Sequence, residues 1–363
     1  MKNERIEYLD GLKGISILLV VFCHYLLLSK ETIVGNYIMA LSWSAVPCFM
    51  MTSGALMHQS SFEWKKYFIR IGKIYGSLCI WRLIYLIVFF QLKELHFGKI
   101  QLLQYVFLLT DLEGVNTGVM WYMIAFLLVL LIYPFTHFLF QDKTKRAVSG
   151  HRILLFVAMV TAIGGILIPS ANWCFRQFCG LLHISQISLN GISRMLPFTN
   201  YANMIFYFII GAFLFEYQSF IDKKIRRFRA VLLPVVLASA GGLLFVKFAE
   251  TKSFAWEGVY LSEGYHHVLT FFMAAGMFLF FMEYQKELHH SIHVLAVFIG
   301  QYTMGIYYLH YILLAVCSVL LYPKLLNYYS CGLNCLKTVI VTAVCVIATV
   351  LLRRVPFIKG LVK

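Results

Sequence analysis

Tyr8-Leu9-Asp10-Gly11-Leu12-Lys13-Gly14-Ile15-Ser16-Ile17-Leu18-Leu19-Val20-Val21-Phe22-Cys23-His24 is the stretch whose reading decides the fold. Charged residues give way to an unbroken apolar segment that closes on a histidine. Lys13 and His24 stand eleven positions apart, roughly 16 Å along an α-helix at 1.5 Å per residue. That is about half of a ~30 Å hydrocarbon core. The stretch therefore predicts a spanning helix with a cation at one membrane face and an imidazole near mid-depth. An ionisable side chain inside such a helix points to function; a hydrogen bond to a neighbouring helix is the structural alternative.

Composition agrees. Of 363 residues, 61% are hydrophobic and 13% charged, against about 25% charged in soluble domains, and the mean hydropathy is +0.78. The expectation is an all-α, polytopic integral membrane bundle forming a single membrane-embedded domain over residues 1–363. The net charge is +15, but the basic residues cluster in short segments between apolar runs. There they set orientation and meet anionic headgroups of the lipid bilayer, so no nucleic-acid partner is expected. The first apolar run lacks a small-residue cleavage site and follows Asp10 and Lys13, so it does not read as a removable signal peptide.

Working outward, apolar runs occur near 14–29, 36–57, 74–91, 119–140, 153–169, 203–217, 231–249, 266–284, 294–321 and 337–352. They predict about ten transmembrane helices; 203–217 is short for a span and 294–321 is long enough to contain a break. The intervening segments alternate in charge. Lys2, Arg5 and Lys13 precede the first run, and Lys65, Lys66, Arg70 and Lys73 follow the second. Lys143, Lys145, Arg146 and Arg152 follow the fourth, Lys223, Lys224, Arg226, Arg227 and Arg229 the sixth, and Arg353, Arg354, Lys359 and Lys363 the last. The alternate segments hold only Lys30, then Lys93 and Lys99, Arg176 and Arg194, Lys252, and Lys324, while Lys286 alone marks the eighth. The positive-inside rule then places both termini in the cytoplasm. Cys174, Cys179, Cys331 and Cys335 fall on the opposite side, free to pair as disulfides or to stay reduced; their spacing does not suit zinc, and no metal site is expected.

Arg70 and Lys73 share one helix face at the membrane level of Lys13. The three cations suit phosphate binding, or plain positive-inside anchoring. Arg82 lies nine residues beyond Lys73, roughly 13 Å deeper, where a guanidinium stabilises an oxyanion or pairs with backbone carbonyls. Pro47 and Ser53-Gly54 in the second run suit a kink and close packing, and a Ser53–His24 dyad is not expected. Trp121 and Tyr122 open the fourth helix, as an interfacial belt or as a platform for a sugar ring; Tyr201, Trp256 and Tyr260 carry the same two readings. His310 reads as a second mid-membrane histidine that packs through a hydrogen bond.

The ordered set Asp10-Gly11-Leu12-Lys13-Gly14-Ile15 to His24, Val46-Pro47 to Ser53-Gly54, Arg70-x-x-Lys73, Trp121-Tyr122, Phe208-Ile209-Ile210-Gly211-Ala212 and Gly305-Ile306-Tyr307-Tyr308-Leu309-His310 resembles the membrane-bound acyltransferase-3 family, in its polysaccharide O-acetyltransferase branch. In that family's motifs arginines stand where this chain has Lys13 and Lys73, substitutions that keep charge and lose the bidentate fork. The resemblance implies a bacterial plasma (inner) membrane enzyme. It would move an acetyl or other short acyl group from cytoplasmic acyl-CoA to a hydroxyl of a cell-surface polysaccharide or its lipid-linked glycan precursor, beside the polysaccharide assembly machinery. Acetyl-CoA would be the donor substrate, with no permanently bound cofactor. Lys13, Arg70 and Lys73 would hold CoA phosphates, and His24 would act as general base or acyl carrier. Arg82, Trp121, Tyr122 and Ser53 would contact substrate. A transporter or flippase for a lipid-linked glycan is the alternative from another class.

Overall fold

The computed structural model describes residues 6–26, 32–92, 96–115, 117–142, 149–197, 201–251, 264–284, 287, 290–320, 331–356 and 358–362. Lys2, Arg5, Lys30, Lys93, Lys143, Lys145, Arg146, Lys252, Trp256, Tyr260, Lys286, Lys324 and Lys363 lie outside that set. The described chain is helical: α1 Glu7–Leu26, α2 Ile33–Ser42, α3 Ala45–Met57, α4 Trp64–Leu92, α5 Lys99–Phe107, α6 Trp121–Gln141, α7 Gly150–Ala162 and α8 Ile168–Leu182. There follow α9 Asn190–Met195, α10 Ala202–Glu216, α11 Gln218–Ile225, α12 Leu232–Thr251, α13 Val268–Tyr284, α14 His290–Gly300, α15 Thr303–Leu320 and α16 Cys331–Leu352.

Within the described residues every apolar run folds mainly as helix. Among those residues six helical stretches are long and apolar enough to cross a membrane, or eight when each sharply bent pair counts as one. The two runs left over are α13, only 17 residues long, and α1. The latter starts at Glu7 rather than at residue 14, so Asp10 and Lys13 belong to the helix and are not a loop before it. Glu7 and Asp10 fall in its first turn, where the positive end of the helix dipole favours carboxylates, and Lys13 Nζ pairs with Asp10 Oδ1 at 2.5 Å across one turn.

The second run breaks at Trp43-Ser44 and not at Pro47. Pro47 instead lies in the first turn of α3, where its missing N–H is not needed. The bend is secured locally: Ser42 Oγ donates to the Met39 carbonyl at 2.6 Å and Ser44 Oγ to that of Leu41 at 2.7 Å. The expected break in 294–321 is present as an 80° bend between α14 and α15, and α10 bends by 78° into α11. Gly164-Gly165 sits in a π-helical turn, Ile163–Leu167, that joins α7 to α8.

Two helix crossings bring backbone onto backbone. A Cβ at Gly14 of α1 would overlap the Ala296 carbonyl of α14, and one at Gly300 would overlap the Asp10 carbonyl. At the second crossing, a Cβ at Gly54 of α3 would overlap Phe208 O of α10, and one at Gly211 would overlap Met51 O. Apolar solvent does not drive helices together in lipid, so close van der Waals contact of this kind does. A methyl at Gly241, by contrast, meets only Tyr37 Cε2 at an ordinary 3.8 Å. Gly14→Ala and Gly211→Ala should each destabilise the bundle by about 1–3 kcal/mol, seen as a lower thermal unfolding midpoint in detergent, while Gly241→Ala should leave it unmoved.

Candidate active site

The helices α1 and α15 face each other along matching stripes. Ile17, Val20, Cys23 and His24 on one, and Thr303, Met304, Tyr307, His310, Tyr311 and Leu314 on the other, line a cavity of about 570 Å³. Positions spaced by three, four and seven fall on one helix face, which is why these ten residues point the same way. From Thr303 to Leu314 the α15 stripe runs roughly 16 Å. The α2–α3 bend adds Ser42, Trp43 and Phe49, and the start of α6 adds Trp121 and Tyr122. The volume lies in the range of small-molecule sites, and the lining is mostly apolar with a few polar groups, as in such sites.

His24 stands in the last turn of α1. Its ring centroid is 5.2 Å from that of His310 and 5.5 Å from that of Tyr311, the latter edge-on at 75°. His310 is fully buried, and its Nδ1 lies 3.0 Å from the Ile306 carbonyl. Neighbouring aromatics are held by their hydroxyls: Tyr307 donates to the Val119 carbonyl, and Tyr85 donates to that of Tyr308 at 2.9 Å. The far end of the cavity is aromatic. Tyr265 lies 4.4 Å from Trp43 and 5.1 Å from Trp121, and Tyr201 stacks on Trp121 at 6.2 Å and 12°. Beyond Tyr265, burial lowers the pKa of His266 and His267, and a hydrogen bond between His266 Nδ1 and the Gly165 carbonyl offsets part of that for His266.

Residues 6–354 match the family model described as an acyltransferase domain. The chain belongs to the acyltransferase 3 family. It is thus a multi-pass membrane protein of an acyltransferase family, which implies an acyl donor and a bilayer as its partners. No curated protein and no solved structure matches it.

In this acyltransferase 3 chain the residues singled out by sequence divide sharply. His24, Trp121 and Tyr122 line the cavity. Lys13 does not: it is ion-paired to Asp10. Arg70 and Lys73 lie within α4 and are exposed, with Arg70 in electrostatic reach of Tyr133. Ser53 is not among the residues that line the cavity. Arg82 makes the carbonyl contacts that were the alternative to an oxyanion role. It is 1% exposed, its Nε donates to the Tyr105 carbonyl at 2.7 Å, a terminal nitrogen donates to the Thr110 carbonyl, and its guanidinium lies 4.2 Å from the centre of the Tyr105 ring. It ties α4 to α5 and the turn after it. The four cysteines Cys174, Cys179, Cys331 and Cys335 are free thiols.

The sequence reading named His310 only as a packing histidine and did not single out Tyr311, Trp43 or Tyr265, all of which line the cavity. For His310 and Tyr311 the signal was there, since Thr303, Tyr307, His310 and Leu314 repeat at helical spacing; Trp43 and Tyr265 sit at a bend and a loop, where no periodicity marks them. Arg82→Met should strand two carbonyls at about 1–3 kcal/mol apiece. The variant should melt earlier, and the fraction that folds should keep its KM for the acyl donor, since the guanidinium is outside the cavity.

Proposed function

We propose that this protein is a membrane O-acyltransferase that moves an acyl group, acetyl in the first instance, from cytoplasmic acyl-CoA to a hydroxyl of a cell-surface polysaccharide or its lipid-linked precursor, in a bacterial plasma membrane. The observation that carries this reading is the position of His24: an imidazole on the wall of an otherwise largely apolar cavity, in a chain of an acyltransferase family. The cavity's length along α15 suits a narrow, linear acyl-bearing arm entering from the Lys13 end. Lys13, Arg70 and Lys73 supply positive charge on that side for the donor's phosphates without entering the cavity. Trp43, Trp121 and Tyr265 form a face at the opposite end on which a sugar ring can lie. A donor thioester and an acceptor hydroxyl can then meet at His24 from opposite ends, and CoA need not cross.

A lipid-linked glycan flippase would need a path for the whole glycan and no reactive group. The cavity's lining is mostly apolar, and its imidazole would be superfluous. The deciding assay is purified protein in proteoliposomes with isotopically labelled acetyl-CoA and base-deacylated surface glycan, read by mass spectrometry. Wild type should yield labelled acyl-glycan. His24→Ala, expressed and folded, should lose transfer by about 10²–10⁴-fold, the span of a general acid–base or nucleophilic contribution. Undiminished transfer by His24→Ala would refute the assignment.

A further inference from the structure

We propose that His310 is the general base for the acceptor hydroxyl, and that His24 carries the acyl group. The inference rests on the acyltransfer reading above and divides its chemistry between two imidazoles. His310 is fully buried, lines the same cavity as His24, and has its ring centroid 5.2 Å from that of His24. Its Nδ1 meets the Ile306 carbonyl at 3.0 Å. A carbonyl oxygen only accepts, so Nδ1 carries the proton. In the neutral ring Nε2 is then a bare lone pair. Among the described residues that Nε2 finds no hydrogen-bond partner although it is buried. Buried ring nitrogens are nearly always satisfied; one left unpaired, on a residue that lines a cavity beside a second imidazole, is placed for a ligand.

The ligand is a hydroxyl group. A lone-pair nitrogen accepts from O–H, and fixing one histidine nitrogen on a backbone carbonyl is how the other is oriented for proton transfer. His24 is one ring away, so an acyl group on it lies beside the proton-accepting nitrogen.

A His24 ring nitrogen forms a bond to the thioester carbonyl carbon, the C–S bond breaks, and the ring proton passes to the departing thiolate, releasing CoA as thiol. The acceptor oxygen then bonds to the acyl carbon as its proton moves to His310 Nε2. The acyl carbon–nitrogen bond breaks, and the proton passes from His310 to the freed His24 nitrogen. The products are an ester and CoA thiol, with both imidazoles neutral as at the start.

The test separates the half-reactions. Exchange of labelled CoA into acetyl-CoA reports acylation of His24 alone; transfer to base-deacylated glycan reports both steps. His310→Asn keeps an amide N–H to donate to Ile306 and removes the free lone pair, and His310→Gln serves as a second variant with a different shape. Both should keep exchange near wild type and lose glycan transfer by about 10²–10⁴-fold, whereas His24→Ala should lose both. Full glycan transfer by the His310 variants would overturn the proposal, as would equal loss of exchange and transfer in variants that remain folded by size-exclusion profile. Wild type that transfers without any exchange would overturn the carrier role. Wild type with no acyl-glycan product would instead refute the parent reading.

Discussion

A single straight helix can lie close along α1 or can stand off to leave room beside it, but not both over the same length. The run from His290 to Leu320 resolves this by bending 80° between Gly300 and Thr303. Before the bend, α14 is in backbone contact with α1 through Gly14 and Gly300. After it, α15 rises beside the other half of α1 with side chains between the two, and the cavity lies among them. Residues on the two sides of the break thus do opposite jobs. The glycines bring α14 against the Asp10–Gly14 turns, and Tyr307, His310 and Tyr311 hold α15 away from Val20 and His24.

A break exposes backbone groups that lipid cannot satisfy. Here Arg353, just past the end of α16, answers. Its guanidinium donates to the Gln301 carbonyl at 2.7 Å and to that of Val362, and lies 4.6 Å from the centre of the Tyr302 ring. On the other side Trp81 Nε1 donates to the Leu361 carbonyl at 3.1 Å. Arg82 does the same one helix away, for the carbonyls around α5. Arg82 and Arg353 hold irregular backbone in place, and it is two imidazoles that stand on the cavity wall. A largely apolar cavity favours that division, because a fixed cation within it would carry a desolvation cost that a neutral ring does not.

Much of this was legible from residue order. Membrane class, helical content and the break in the ninth run follow from hydropathy, and His24 draws notice there as one ionisable residue in an apolar stretch. The helix limits did not follow: α1 extends past its apolar run through the paired Asp10 and Lys13, and α14 and α15 stand at 80° to each other. Helical spacing put Arg70 and Lys73 on one face but could not say that this face looks outward. Arg82 looked functional because depth is readable and partners are not. Its two carbonyls come from positions 23 and 28 residues away, across a helix and a turn whose fold had to be seen.

His310 shows the same limit from the other side. Read alone, a histidine four residues after an isoleucine in a helix is a packing residue bonded back to its own turn, and that bond exists. What sequence could not supply is that the bond uses only one of two ring nitrogens, and that the other has no hydrogen-bond partner among the described residues and belongs to a ring that stands beside a second imidazole. A pair of histidines 286 positions apart in sequence (24 and 310) becomes adjacent only because α14 has already fixed the height of α15 against α1. The glycine crossing and the imidazole pair are therefore mechanically one unit. Any change that lifts Gly300 off Asp10 slides the α15 stripe along that of α1, and a shift of one helical turn, about 5.4 Å, is as large as the whole separation between the two rings.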